Sequence, residues 1–187
     1  QAFEQANIEG DGSTVVEIYY ARNAYTLTIN YVNAKDGAEM AESVTEDYLF
    51  EAEYSFESPV IEGYTADILV VEGNMPSDDL TVEVVYTANE DTAYVVEHYK
   101  QNLDGTYPET ATETENKVGT TDTLTNAVAK NYDGFTAQAF EQLNIEGDGS
   151  TVVEIYYTRN AYTLTINYVN AKDEAEMAES VTEDYLF

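Results

Sequence analysis

The sequence predicts an α+β fold, built from β-grasp-like modules repeated in tandem along an elongated array. Three observations predict it. Residues 1–50 return at 138–187 with 47 of 50 positions identical, at an offset of 137 residues, which marks a repeat array. Each period contains runs in which apolar and polar residues alternate, the period of a half-buried strand. Between those runs, two stretches space their apolar residues four apart, which suits helical turns.

The elements follow in chain order. Residues 1–23 read as the C-terminal half of one module, 24–89 and 90–160 as two complete modules, and 161–187 as the N-terminal half of another. Tyr25-Thr26-Leu27-Thr28-Ile29-Asn30-Tyr31 opens the first module as a strand with one polar face. Asn33 to Gly37 is the following turn. Glu174 replaces Gly37 in the later copy, which argues that the turn does not strictly need a positive φ. Glu46 to Phe56, with Tyr48, Leu49, Ala52 and Phe56, suits one or two helical turns. Pro59 and Gly63 punctuate the return to strand, Ile68 to Val71 is a short buried strand, and Thr81 to Asn89 closes the module.

The second module opens with Tyr94-Val95-Val96-Glu97-His98-Tyr99. Asn102-Leu103-Asp104-Gly105 is a hairpin signal. Thr110 to Glu115 reads as an exposed strand. A helix follows, capped by Asp122, with Leu124, Val128 and Tyr132 on one face and Asp133-Gly134 at its end. Phe135 begins the return strand, and Thr151 to Asn160 closes the module. Each closing strand runs at once into the next opening strand, with no Pro-rich or Gly/Ser-rich linker, so the string is expected to be semi-rigid. Strand, strand, helix, strand, strand is an order in which one helix covers one sheet, and it resembles the β-grasp, or ubiquitin-like, fold.

These residues also carry a family signal. Val96-Glu97-His98-Tyr99, Asn102 to Tyr107, Tyr132-Asp133-Gly134-Phe135 and Val153-Glu154-Ile155-Tyr156-Tyr157 resemble the internalin-type B repeat. Leu27 to Asn33, Ile61-Glu62-Gly63-Tyr64 and Val82 to Tyr86 resemble the mucin-binding-protein (MucBP) repeat. The resemblance implies a wall-anchored or secreted protein of a Gram-positive bacterium, extracellular at the cell surface, with β-grasp-like modules in tandem. It also brings mucin glycans into view as a ligand.

Composition narrows the function. Seven Lys and Arg against 37 Asp and Glu give a formal charge of −30, which repels nucleic acid and anionic membrane surfaces. The acidity is spread along the chain and serves solubility. Calcium is the sharper reading of it. Asp11-Gly12-Ser13 and Asp148-Gly149-Ser150 offer single carboxylates beside a turn glycine, without the alternating ligands of a calcium loop. The absence of Cys removes disulfides, zinc thiolates and thiol catalysis. No apolar run spans a membrane and no signal peptide is present, so an export signal or anchor is expected outside this segment.

Few residues invite chemistry. His98 is the single His, and no nucleophile pattern accompanies it, so packing is its expected role. Lys35, Lys100, Lys117, Lys130 and Lys172 are candidates by type for a Lys–Asn or Lys–Asp crosslink. Tyr19-Tyr20 and Tyr156-Tyr157 place one ring on each face of a strand, one in the core and one outward toward a neighbouring module or a sugar ring. No catalytic, cofactor-binding or metal residue is assigned, and no cofactor is expected. The sequence therefore reads as a non-enzymatic structural repeat segment of a surface stalk, fibre or adhesin. Its partners are neighbouring repeats, with self-assembly or strand complementation through the half modules. The alternative is a glycan-binding module that acts by avidity.

Overall fold

The computed structural model describes residues 6–187; the part of the first half module that falls on residues 1–5 lies outside them. The chain divides into two compact units. One comprises the residues up to Val60 with Thr65–Thr87, and the other Ile61–Tyr64 with Ala88–Phe187.

In the first unit, β1 (Ala24–Asn33) alternates as its sequence requires, with Leu27, Ile29 and Tyr31 all buried. It pairs antiparallel with β2 (Glu39–Leu49) and parallel with β6 (Leu80–Ala88), in the register Leu27↔Leu80 to Asn33↔Tyr86. The sheet order is β2-β1-β6-β4, with β4 at Tyr64–Ala66. A two-stranded ribbon of β3 (Glu53–Glu57) and β5 (Val70–Asn74) completes the unit and buries Val71. The Tyr31 and Tyr86 rings meet edge to face, and the Tyr86 hydroxyl donates to the Pro59 carbonyl at 2.6 Å, so a large apolar ring is buried with its polar tip satisfied.

The second unit repeats the plan. Its sheet runs β8-β7-β10-β9, with β7 Thr92–Lys100, β8 Glu113–Gly119, β9 Phe135–Ala137 and β10 Val152–Arg159. β7 and β10 are parallel, from Val95↔Val152 to Lys100↔Tyr157. Tyr94, Val96, Ala127, Ile145, Val153, Ile155 and Tyr157 form the core. A hairpin of β11 (Ala161–Val169) and β12 (Glu176–Leu186) follows.

The expected α+β class is wrong, and the β-grasp-like fold with its helix goes with it. The described residues contain no helix and about 51% are strand, so the fold is all-β. Both helix expectations fail for one reason. A spacing of four is nearly in phase on a helix but fully in phase on a strand, because it is a multiple of two. From Tyr48 to Phe56 the residues at even positions are half-buried and those at odd positions exposed, through the end of β2, a turn with Glu51 at φ 65°, and β3. From Thr125 to Ala129 the inward residues are Thr125, Ala127 and Ala129, while Leu124 and Val128 point outward. Asp122 is not a helix cap but a left-handed turn residue at φ 59°.

The 124–132 segment, which lies between two turns and in no helix or named strand, needs partners for its backbone. It finds some along 142–145, where Thr125 N–H donates to Leu143 O and Ile145 N–H to Thr123 O. The Gln142 side chain supplies more: its Oε1 accepts from Ala127 N–H and its Nε2 donates to Ala127 O, as a neighbouring peptide group would. Another expectation is also corrected. Gly37 sits at φ 72° and Glu174 at φ 55°, so the turn keeps its left-handed residue even where glycine is lost. Ile68 to Val71 is not a buried strand throughout, since Leu69 is largely exposed.

Candidate functional site

Two constellations of polar and aromatic side chains are built on β7 and β10. The first lies inside the second unit. His98 and Tyr157 belong to these parallel neighbouring strands, and both are fully buried. His98 Nδ1 lies 2.8 Å from the Tyr157 phenol oxygen, and Nε2 lies 2.8 Å from Glu115 on β8. The phenol oxygen also accepts the Lys130 backbone N–H at 2.8 Å. One assignment satisfies every group: the Tyr157 proton goes to Nδ1 and the Nε2–H to the Glu115 carboxylate.

Glu115 further faces Lys117 and Lys130, each at 3.2 Å. Chiefly through the bond to His98, and with help from the two ammonium groups against the cost of burial, its pKa is held down to about 2. Glu113 accepts from Lys130 Nζ and from the Tyr132 hydroxyl, and its pKa is lowered by those bonds. A carboxylate that orients an imidazole is half of a catalytic triad. Here the imidazole's other nitrogen meets a phenol whose pKa burial pushes up, and neither ring is open to solvent. The network pins β7, β8, β10 and the 120–134 segment together.

The second constellation faces the other way. The Tyr99 and Tyr156 rings stack with centroids 5.0 Å apart and planes 18° from parallel. Tyr107 meets Tyr156 edge-on at 5.0 Å. The Tyr99 hydroxyl donates to Glu97 at 2.6 Å, which pushes its pKa up to about 12, and Tyr156 donates to Glu154 at 3.0 Å. Tyr156 and Tyr157 thus do lie on opposite faces. Much of the outward ring surface is consumed by the stack, because Tyr99 is itself buried. In the earlier copy, Tyr19 and Tyr20 are both exposed, in a stretch with no strand assigned.

The lysines are dispersed. Lys100 lies over the Tyr132 ring at 4.5 Å, Lys117 and Lys130 pair with glutamates, and Lys35 and Lys172 are exposed at turns. Asp148 Oδ1 accepts from Ser150 N–H, and Asp11 Oδ1 from Ser13, so both act locally within their turns. Among the described residues no group of three acidic, His or Cys side chains could hold a metal, and no helix is long and apolar enough to cross a membrane. A shallow groove of about 460 Å³ runs along the β3–β5 ribbon beside Tyr54 and Gly73.

Sequence reasoning missed Glu115 and Gln142, and it named Lys130 and Tyr107 without their partners, which are brought in across the fold. The only local signal was the alternation Glu113-x-Glu115-x-Lys117, which places three charged side chains on one face of β8, the face that His98 shares.

Residues 26–87 match the family model described as the MucBP domain. The resemblance read from Leu27 to Asn33 and Val82 to Tyr86 is therefore shown for the first module. No curated protein matches the chain. Among solved structures, the chain is similar to Streptococcal High Identity Repeats in Tandem (SHIRT) domains 3-4 from a cell surface protein. That likeness has 10% identity and a TM-score of 0.25, and covers 73% of this chain and 98% of that one.

Proposed function

We propose that this chain is a structural repeat segment of a bacterial cell-surface stalk, fibre or adhesin, extracellular and non-enzymatic, whose work is to carry tension and to space other domains. The repeat boundaries at 24–89 and 90–160, and the internalin-type B identity of the second, belong to this proposal.

One observation carries it. Within 24–89 and again within 90–160 the first and last long strands are parallel neighbours: β1 with β6, and β7 with β10. The chain enters at the start of one strand and leaves at the end of its parallel partner. Tension along the chain therefore slides the two strands past each other and loads all the evenly spaced ladder bonds at once. If a module's ends lay at the same end of a strand pair, those bonds would break one by one. The short joints Asn89–Asp91 and Asn160 pass the load on without a flexible linker.

The test is to stretch the chain by its ends one molecule at a time. The proposal expects two cooperative unfolding events, each releasing roughly 200 Å of chain, given about 3.5 Å per extended residue. Gradual extension without such events would overturn it.

Glycan binding is the second reading, and the Tyr99–Tyr107–Tyr156 cluster is the observation that favours it. Flanking Glu97 and Glu154 would suit neutral sugars over sialylated or sulfated ones. Titration with neutral and sialylated mucin glycans, with Tyr156→Ala as control, tests it.

A further inference from the structure

The outer edge of β10 is covered along only part of its length. In a parallel pair, alternate residues of a strand turn their backbone groups toward opposite neighbours. Val95 N–H donates to Thr151 O and Gln101 N–H to Tyr157 O, so Thr151, Val153, Ile155 and Tyr157 face β7. Val152, Glu154 and Tyr156 therefore face the other way. β9 takes up the far end of that edge, from Tyr157↔Ala137 to Arg159↔Phe135, and Gln138 N–H adds a bond to Tyr156 O. Beyond Gln138 the chain leaves the edge. Among the described residues, no group bonds the outward N–H and C=O of Val152 and Glu154. All four strands of the sheet β8-β7-β10-β9 are present and paired, so the bare stretch belongs to the finished sheet.

A groove of about 290 Å³ runs along this stretch, between Ala139, Phe140 and Leu143 and the strand residues Val152 to Glu154. Phe140 is half-buried against the core, and Leu143 and Val152 are 43% and 39% exposed. Among the described residues, no hydrogen bond reaches the backbone of Ala139, Phe140 or Glu141. The charged residues that line the groove, Glu141 and Glu154, are both acidic and both exposed.

We propose that this edge is a docking site for an extended basic segment of a partner protein, in which Lys or Arg alternates with apolar residues. The segment adds as a strand antiparallel to β10, in the lane that β9 vacates. Backbone bonds to Val152 and Glu154 supply affinity, and the alternation sets register. Side chains opposite Val152 and Glu154 share the acidic outer face, which selects cations; the intervening ones turn toward Val153 and Phe140, which selects apolar groups. Charge complementarity chooses this occupant over a second copy of the chain, whose own charge of −30 repels it. The site stands on the backbone bonds of β10 and is independent of the load-bearing and glycan readings.

The probe is the synthetic peptide acetyl-Lys-Val-Lys-Val-Lys-Val-Lys-amide. It is titrated into the full chain in about 0.15 M NaCl, where diffuse attraction to an acidic chain is screened beyond about 8 Å. Val152→Pro removes the outward N–H at the first residue of β10, a place that tolerates proline, and leaves the bonds to β7 in place. The expected result is saturable binding that shifts the amide signals of Phe140 and of Val152 to Glu154, and that weakens at least tenfold in Val152→Pro. A peptide methylated on the Lys backbone nitrogens, offered to the unaltered chain, is expected to lose at least as much without touching the fold. So is a peptide of the same composition with its Lys and Val gathered into blocks. Equal binding by the methylated or block-ordered peptide would show charge attraction alone and overturn the proposal, as would the absence of saturable binding.

Discussion

His98 and Tyr157 lie 59 positions apart in the chain and meet with Nδ1 2.8 Å from the phenol oxygen, both without exposed surface. Tyr157→Phe keeps the ring but leaves His98 Nδ1 and the Lys130 N–H without their partner. A buried polar group left unmatched costs about 1–3 kcal/mol. Urea unfolding followed on the second unit should show a loss in that range, and a loss below about 0.5 kcal/mol would remove the pin from the account.

The Glu115 carboxylate sets an acid limit on stability. Its folded pKa, about 2, lies below the ordinary value of 4.5, so the unfolded chain binds more protons between those values. The stabilisation is complete above pH 4.5 and is lost as pH falls toward 2. Glu115→Gln should flatten that part of the stability–pH curve for the second unit, as read from denaturation midpoints at half-unit pH steps. A curve parallel to that of the native chain would refute the assignment.

Gln142 holds the 124–132 segment by acting as a surrogate peptide group. Gln142→Ala removes bonds to Ala127 and Thr125 together, and should cost about 1–3 kcal/mol. Gln142→Glu should not restore the loss, because a carboxylate cannot donate to Ala127 O. Amide hydrogen exchange at Ala127 gives the local readout: faster exchange is expected in Gln142→Ala, whereas the carboxylate of Gln142→Glu still accepts the Ala127 N–H and keeps it protected.

The Gly37/Glu174 difference is a substitution already present in the chain. Both residues occupy the left-handed region, where a side chain costs about 1 kcal/mol. Gly37→Glu should destabilise the first unit by that amount, and Glu174→Gly should make the second hairpin's amides exchange more slowly. Equal stability in both pairs would show that the turn carries no strain.

The strands that alternate cleanly were legible in the sequence. β1, β6, β7 and β10 follow from Leu27-x-Ile29-x-Tyr31, Val82-x-Val84-x-Tyr86, Tyr94-x-Val96-x-His98 and Val153-x-Ile155-x-Tyr157. The opposed faces of Tyr156 and Tyr157 follow from the same alternation. The helices were misread where apolar residues stood four apart, as at Leu124, Val128 and Tyr132. The smaller inward residues Thr125 and Ala127, which settle the period, carry little hydrophobic signal. The Glu115–His98–Tyr157 chain was not legible, because it depends on parallel pairing of strands more than 50 residues apart.

The load-bearing account is tested most directly by changing the axis of pull on the first unit. Handles at Ala24 and Ala88 shear β1 against β6; handles at Asn33 and Thr87, which lie near the same end of that pair, peel the strands apart. The account predicts an unfolding force several-fold higher for the first geometry than for the second. Equal forces along the two axes would contradict it.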